Sequence, residues 1–151
     1  MEYIIQLITA FTGSVGFCLL FNVRRGKLFL AGLGGVIAWG VYLLAGLWID
    51  GDVPRFFLAS LVLTLYAEIM ARTLKAPATV FLVSASIPLI PGGSLYTTMR
   101  YAVESRWAEF SAQGTDTLLL AAAIAGGMMC MMAILHAVYK ILIATEHMIR
   151  E

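Results

Sequence analysis

A chain of 151 residues has the length of about one domain. Its 61% hydrophobic and 13% charged residues leave too little polar surface to face water on all sides, so the composition is that of an integral membrane protein. Ten Lys+Arg against nine Asp+Glu give a net charge of +1, which excludes the broad basic footprint of a nucleic-acid binder.

Tyr3 to Val23 is 21 residues without a formal charge, followed at once by Arg24, Arg25 and Lys27. About 20 apolar residues cross the hydrocarbon core as a helix, so 3–23 is the first expected crossing. Glu2 precedes the run and the basic cluster follows it, the reverse of a cleavable signal, so the segment is expected to be retained. Leu28 to Ile49 is the second crossing, ending near Trp48 and closed by the turn Asp50-Gly51-Asp52-Val53-Pro54-Arg55. Residues 56–75 are the third, with Glu68 and Arg72 in the last third; 76–99 are the fourth, interrupted by Pro88, Pro91, Gly92 and Gly93. A polar stretch, Arg100 to Asp116, precedes the fifth crossing at 117–139, and Lys140 to Glu151 form an amphipathic tail. Trp107 and Phe110 at helical spacing make an interfacial helix an alternative for part of the polar stretch. The expected fold is all-α: a polytopic transmembrane bundle of about five crossings, residues 1–151 forming one transmembrane domain, with the fourth helix broken at Pro88–Gly93. A re-entrant fourth segment would change the count.

Five alternating crossings place Arg24, Arg25, Lys27, Arg72, Lys75, Lys140 and Arg150 on one side and Arg55, Arg100 and Arg106 on the other. The positive-inside rule then puts the N-terminus outside and the C-terminus in the cytoplasm.

The fourth segment carries the strongest functional signal. Pro88 frees the carbonyl of Ser84 and Pro91 that of Ile87, while Gly92 and Gly93 permit the angles that end a helix. Pro88 lies roughly 18 Å beyond Ala76 along a helix, which predicts a break near mid-membrane, where open backbone is tolerated only in a cavity or inside protein. A half-helix restarting at Gly93 or Ser94 points its amides and positive dipole end toward the midplane, a geometry suited to a carboxylate. Ser94, Tyr96, Thr97 and Thr98 add hydroxyls for an ammonium or hydroxyl group. The competing reading is a kinked structural helix with Ser94 as a plain cap.

Glu68 and Arg72, four apart, share a helix face and can pair. Intramembrane charges usually face an interior or a pathway, but Lys75 is close enough for the pair to be a plain interfacial one. His136 reads as an interfacial histidine; with His147 it is too little for a zinc site beside Cys18 and Cys130, which sit in apolar runs. No triad, metal or phosphate-loop signature occurs, so neither an enzyme nor a cofactor or metal is expected. Thr9/Gly13, Thr12/Gly16, Ala31/Gly35, Ala122/Gly126 and Ala133/Ala137 are small-residue pairs that allow close helix packing. Met128, Met129, Met131 and Met132 read as deformable filler.

Phe21-Asn22-Val23 with its basic cluster, Gly32 to Gly35 with Trp39, Ala67-Glu68-Ile69-Met70-Ala71-Arg72, Lys75-Ala76-Pro77-Ala78 and above all Pro88-Leu89-Ile90-Pro91-Gly92-Gly93-Ser94-Leu95-Tyr96 resemble the threonine/serine exporter family, specifically its C-terminal half, which also occurs as a separate short subunit. The resemblance covers most of the chain. It implies proton-driven export of small hydroxy amino acids across the bacterial inner membrane, with a larger membrane subunit completing the pathway; five helices are few to enclose a pathway, so a homo-oligomer is the other expected completion. It also implies succinate or related dicarboxylates as an alternative substrate class. A non-transporting scaffold whose small-residue faces bind a larger helical partner is the reading from another class. The residues expected to bind substrate are Pro88, Pro91, Gly92, Gly93, Ser94, Tyr96 and Thr97, with coupling or gating at Glu68 and Arg72.

Overall fold

The computed structural model describes the backbone of residues 1–23 and 25–150 and the side chains of residues 1–23 and 26–141. Arg24, Glu151 and the side chains of Arg25, His147 and Arg150, which enter the charge and histidine readings above, lie outside the described residues. Every regular element among the described residues is helical: α1 (Glu2–Leu20), α2 (Arg25–Ala45), α3 (Asp52–Thr73), α4 (Ala78–Ser86), a 3-10 turn at Ile87–Leu89, α5 (Gly92–Val103) and α6 (Trp107–Arg150).

The helix ends follow local chemistry. α1, α3 and α5 each stop on a left-handed residue: Asn22 (φ 53°), Lys75 (φ 47°) and Ser105 (φ 56°). In each case the next amide reaches back five residues, Val23 to Cys18, Ala76 to Ala71 and Arg106 to Tyr101, all at 2.9 Å. These bonds satisfy carbonyls that a helix end leaves open. The α2–α3 turn is held differently: Arg55 Nε donates to Ile49 O at 2.8 Å, and Tyr42 Oη donates to Asp52 Oδ1 at 2.9 Å.

α1, α2, α3 and α4 pack as an alternating up-and-down group. Two cores lie along α3: Ala38, Phe56, Ala59, Leu63, Ala85 and Leu89 toward its start, and Cys18, Ala31, Ala67, Ala71 and Phe81 toward its end. Small residues set the closest crossings. A Cβ at Gly35 would collide with Ser14 Oγ on α1, and one at Gly127 would collide with Ser60 Oγ and lie 2.5 Å from Phe57 O on α3. Ala31 and Gly35 thus form a packing face, whereas a Cβ at Gly13 or Gly16 meets nothing within 4 Å.

Four helices are individually long and apolar enough to span a membrane, and α4 with its 3-10 turn and α5 form a bent pair, inclined at 58°, that together make a fifth. Direction decides how that pair behaves. α6 approaches α3 at Gly126 beside Phe57 and Gly127 beside Ser60, and later at Tyr139 beside Arg72. Both numbers rise together, so α3 and α6 run parallel. A re-entrant α4–α5 would return the chain to the face where α3 ends and make α6 antiparallel to α3. The bent pair is therefore one broken crossing, and the fold is a helical bundle with its fourth helix broken at Pro88–Gly93.

Two expectations shift. The break is not at mid-depth: Leu89 packs with Phe56 and Ala59, near the start of α3, and Pro88 lines a cavity with Gln6, about 6 Å from the start of α1. The break therefore falls in the half of the bundle near Glu2 and Asp52. The polar stretch Arg100–Asp116 is neither loop nor separate interfacial helix: it is the end of α5, a three-residue turn and the start of α6. Salt bridges from Arg106 to Glu104 (3.4 Å) and Glu109 (2.8 Å) hold that turn. Thr98 and Thr117 join the two helices at 3.2 Å.

Candidate functional site

The prolines break the helix because neither can donate. The freed carbonyl of Ile87 is taken by Ile90 N–H at 3.2 Å, and Gly92 N–H folds back onto Ile90 O at 2.7 Å. Leu95 N–H, donating to Pro91 O at 3.0 Å, is the first regular bond of α5. The amides of Gly93 and Ser94 remain as the open donors at the start of α5, whereas that of Gly92 is already satisfied. Gly92 and Gly93 are exposed, and a Cβ at either would meet no atom within 4 Å. Tyr96 is exposed; Thr97 Oγ1 donates to Gly93 O at 2.9 Å and keeps its lone pairs for an incoming donor.

On the side preceding the break, Ile87 and Pro88 close a cavity of about 210 Å³ whose other walls are Gln6, Thr9, Ala10 and Gly13 of α1 and Trp39 of α2. Trp39 Nε1 donates to Gln6 Oε1 at 3.1 Å. An indole N–H is only a donor, so the bond fixes the Gln6 amide with its oxygen toward Trp39 and its NH₂ unspent. Thr9 Oγ1 donates to the carbonyls of Ile5 and Gln6, leaving its oxygen as an acceptor. The cavity wall thus carries an amide donor and a hydroxyl acceptor in apolar surroundings, the usual make-up of a small-molecule site. Of the residues expected to bind substrate, Pro88 lines this cavity; Pro91, Gly92, Gly93, Ser94, Tyr96 and Thr97 lie outside its wall, on the α5 side of the break.

Glu68 and Arg72 are elsewhere, in the last turns of α3, paired at 3.0 Å. Their cavity is completed by Met132, Leu135, His136 and Tyr139 of α6, with Tyr139 lying under the guanidinium at 5.3 Å.

The sequence matches the threonine/serine exporter family, described as "Threonine/Serine exporter, ThrE", over residues 6–134. The chain belongs to that family. No solved structure matches it. This exporter-family chain is a multi-pass membrane protein, and membership implies transport of a small amino acid through a lipid-embedded protein. The matched region begins at Gln6 and takes in Trp39, Glu68, Arg72 and the whole break; His136 and Tyr139 lie beyond it.

Sequence reasoning missed Gln6 and the partnership of Trp39 with it. A lone glutamine in the first turns of an apolar helix was the available signal, since an intramembrane amide needs a partner. It also read His136 alone; only the parallel packing of α3 and α6 brings it to Glu68 and Arg72.

Proposed function

We propose that this chain is a subunit of a secondary exporter that moves threonine, serine or similar small hydroxy amino acids out of the bacterial cytoplasm, driven by the proton gradient and completed by a larger membrane subunit or further copies. The excess of basic residues on the Lys75 side supports an N-terminus facing outward and a C-terminus facing the cytoplasm. The observation that carries the reading is the broken fourth helix of an exporter-family chain: its open amides at Gly93 and Ser94 lie on the exposed α5 side of the break, and a largely apolar cavity carrying Gln6 and Thr9 adjoins it on the Pro88 side. The substrate carboxylate binds the amides of Gly93 and Ser94, with Ser94 and Thr97 as hydroxyl contacts, and Gln6 supplies a further donor from the Pro88 side. Glu68 and Arg72 serve coupling or gating at the other end of α3.

The test is efflux of threonine, serine and succinate from loaded cells containing this chain alone, the chain with its candidate larger subunit, or neither. Threonine and serine efflux above the empty control supports the reading, and dependence on the second chain supports a split exporter. Succinate efflux without threonine or serine efflux overturns the substrate class; no efflux in any combination overturns the transport assignment in favour of a scaffold.

A further inference from the structure

The Glu68–Arg72 pair is only half used. Arg72 Nε and Nη2 both donate to the same oxygen, Glu68 Oε1, each at 3.0 Å. Glu68 Oε2 and Arg72 Nη1 carry no hydrogen bond among the described residues. The cluster therefore presents a free anionic acceptor and a free cationic donor on one ion pair. The Arg72 guanidinium carbon lies over the Tyr139 ring at 5.3 Å, a cation–π contact that does not occupy Nη1 with a hydrogen bond.

The surroundings allow a ligand to reach that edge. The side chains of Arg72 and Glu68 are 55% and 33% exposed. The cavity they line has a volume of about 280 Å³, with Met132 and Leu135 as an apolar wall and His136 and Tyr139 as polar ones. That is just below the roughly 300–1,000 Å³ of drug-sized ligand sites, so the fit is to a small metabolite.

Charge selects the class of metabolite. A free amino acid carries an ammonium and a carboxylate on one carbon, the same two signs that the pair leaves open. It brings no net charge to a site of no net charge, whereas a dicarboxylate would set two negative charges against Arg72 with Glu68 repelling one of them. We propose that the Glu68–Arg72 pair and the α3–α6 cavity form a second recognition site for a zwitterionic amino acid, ammonium on Glu68 Oε2 and carboxylate on Arg72 Nη1. Met132 and Leu135 take the side-chain carbon atoms, and His136 meets the side-chain hydroxyl. Ala59, at the level of the break, is nine positions before Glu68, so the two sites lie about 14 Å apart along α3. The proposal rests on the reading that the chain carries amino acids. It turns the coupling pair into an entry station at the cytoplasmic end of the export path.

The test is calorimetric titration of the full chain in nanodiscs with L-threonine, N-acetyl-L-threonine, which lacks the ammonium, and L-threonine amide, which lacks the carboxylate. The wild-type chain is compared with a Gly93→Val parent that silences the break, the further substitutions are made in that parent, and each protein is checked for a monodisperse, helical state. Glu68→Gln is expected to weaken threonine tenfold or more without weakening N-acetylthreonine. Arg72→Gln is expected to weaken threonine and N-acetylthreonine together without weakening threonine amide. Threonine binding that neither substitution alters overturns the proposal, as does an equal loss for all three probes, the mark of a purely structural pair. Binding to the wild-type chain but not to the Gly93→Val parent overturns the second site and leaves the break as the site. Absence of threonine binding to both overturns the two readings together.

Discussion

Trp39 Nε1 donates to Gln6 Oε1 at 3.1 Å across the α1–α2 contact, beside the cavity closed by Pro88. Trp39 is itself stacked on Tyr42 at 4.8 Å, and Tyr42 lies 4.7 Å from Phe56. An aromatic row from α2 to α3 therefore fixes the indole, and the indole fixes the Gln6 amide at the cavity wall.

Removing that donor by Trp39→Phe costs one hydrogen bond, about 1 kcal/mol. Threonine efflux is expected to fall about fivefold at unchanged protein level. Gln6→Leu removes the free NH₂ as well and is expected to lower efflux further than Trp39→Phe. Dose-response efflux at matched expression reads both.

The tight α1–α2 crossing gives an opposed pair of stability outcomes. Gly35→Ala drives a methyl into Ser14 Oγ, and overpacking of this kind costs about 1–3 kcal/mol. Ser14 is fully buried and its hydroxyl has no hydrogen-bond partner among the described residues. Ser14→Ala removes that unmet group and is expected to raise stability by about 1 kcal/mol. Gly16→Ala, inside α1 where a Cβ meets nothing within 4 Å, is expected to raise stability by about 0.5–1 kcal/mol through helix propensity alone. Thermal unfolding in one detergent, followed by loss of the monodisperse peak, orders the three.

Lys75 and Ser105 hold left-handed angles that cost a side-chain-bearing residue about 1–2 kcal/mol. Lys75→Gly and Ser105→Gly are each expected to raise the unfolding midpoint, the gain being trimmed by the added freedom of glycine in the unfolded chain. Asn22→Gly is expected to gain less, because Asn tolerates this region. A drop in midpoint for both Lys75→Gly and Ser105→Gly contradicts the cap geometry.

The parallel course of α3 and α6 fixes which turns share a membrane face. Cysteines placed at Gly51 and at Ser105 are expected to react with an impermeant maleimide from one side, and a cysteine at Lys75 from the other. The background carries Cys18→Ala and Cys130→Ser. Labelling of Ser105→Cys together with Lys75→Cys contradicts a single broken crossing.

Much of the fold was legible because membrane burial writes itself in uncharged runs, and turns in clusters such as Asp50–Arg55 and Lys75–Pro77. The break was legible because two prolines remove donors at known positions and two glycines permit the angles that end a helix. Its depth was not: counting from Ala76 gives distance along the chain, whereas depth depends on how far α4 is offset against α3. Trp107 and Phe110 signalled a helix in the polar stretch, but its continuity with the fifth crossing was hidden because Glu109 and Asp116 mark departure from lipid, and a helix can leave the membrane without ending. α6, at 44 residues and about 66 Å, is twice as long as a span needs. The two cavities were hidden for a third reason, since Gln6 with Trp39, and Glu68 with His136, meet through helix pairing that no single segment records.

The most direct test of the central claim is protection of the break by substrate. Gly93→Cys, in the Cys18→Ala and Cys130→Ser background, places a thiol where a Cβ meets no protein atom within 4 Å. Its reaction with maleimide is followed in membranes that also contain the candidate larger subunit. The account predicts that L-threonine and L-serine slow the labelling in a saturable way while L-leucine does not. Equal labelling rates at every threonine and serine concentration would contradict a substrate site at Gly93 and Ser94.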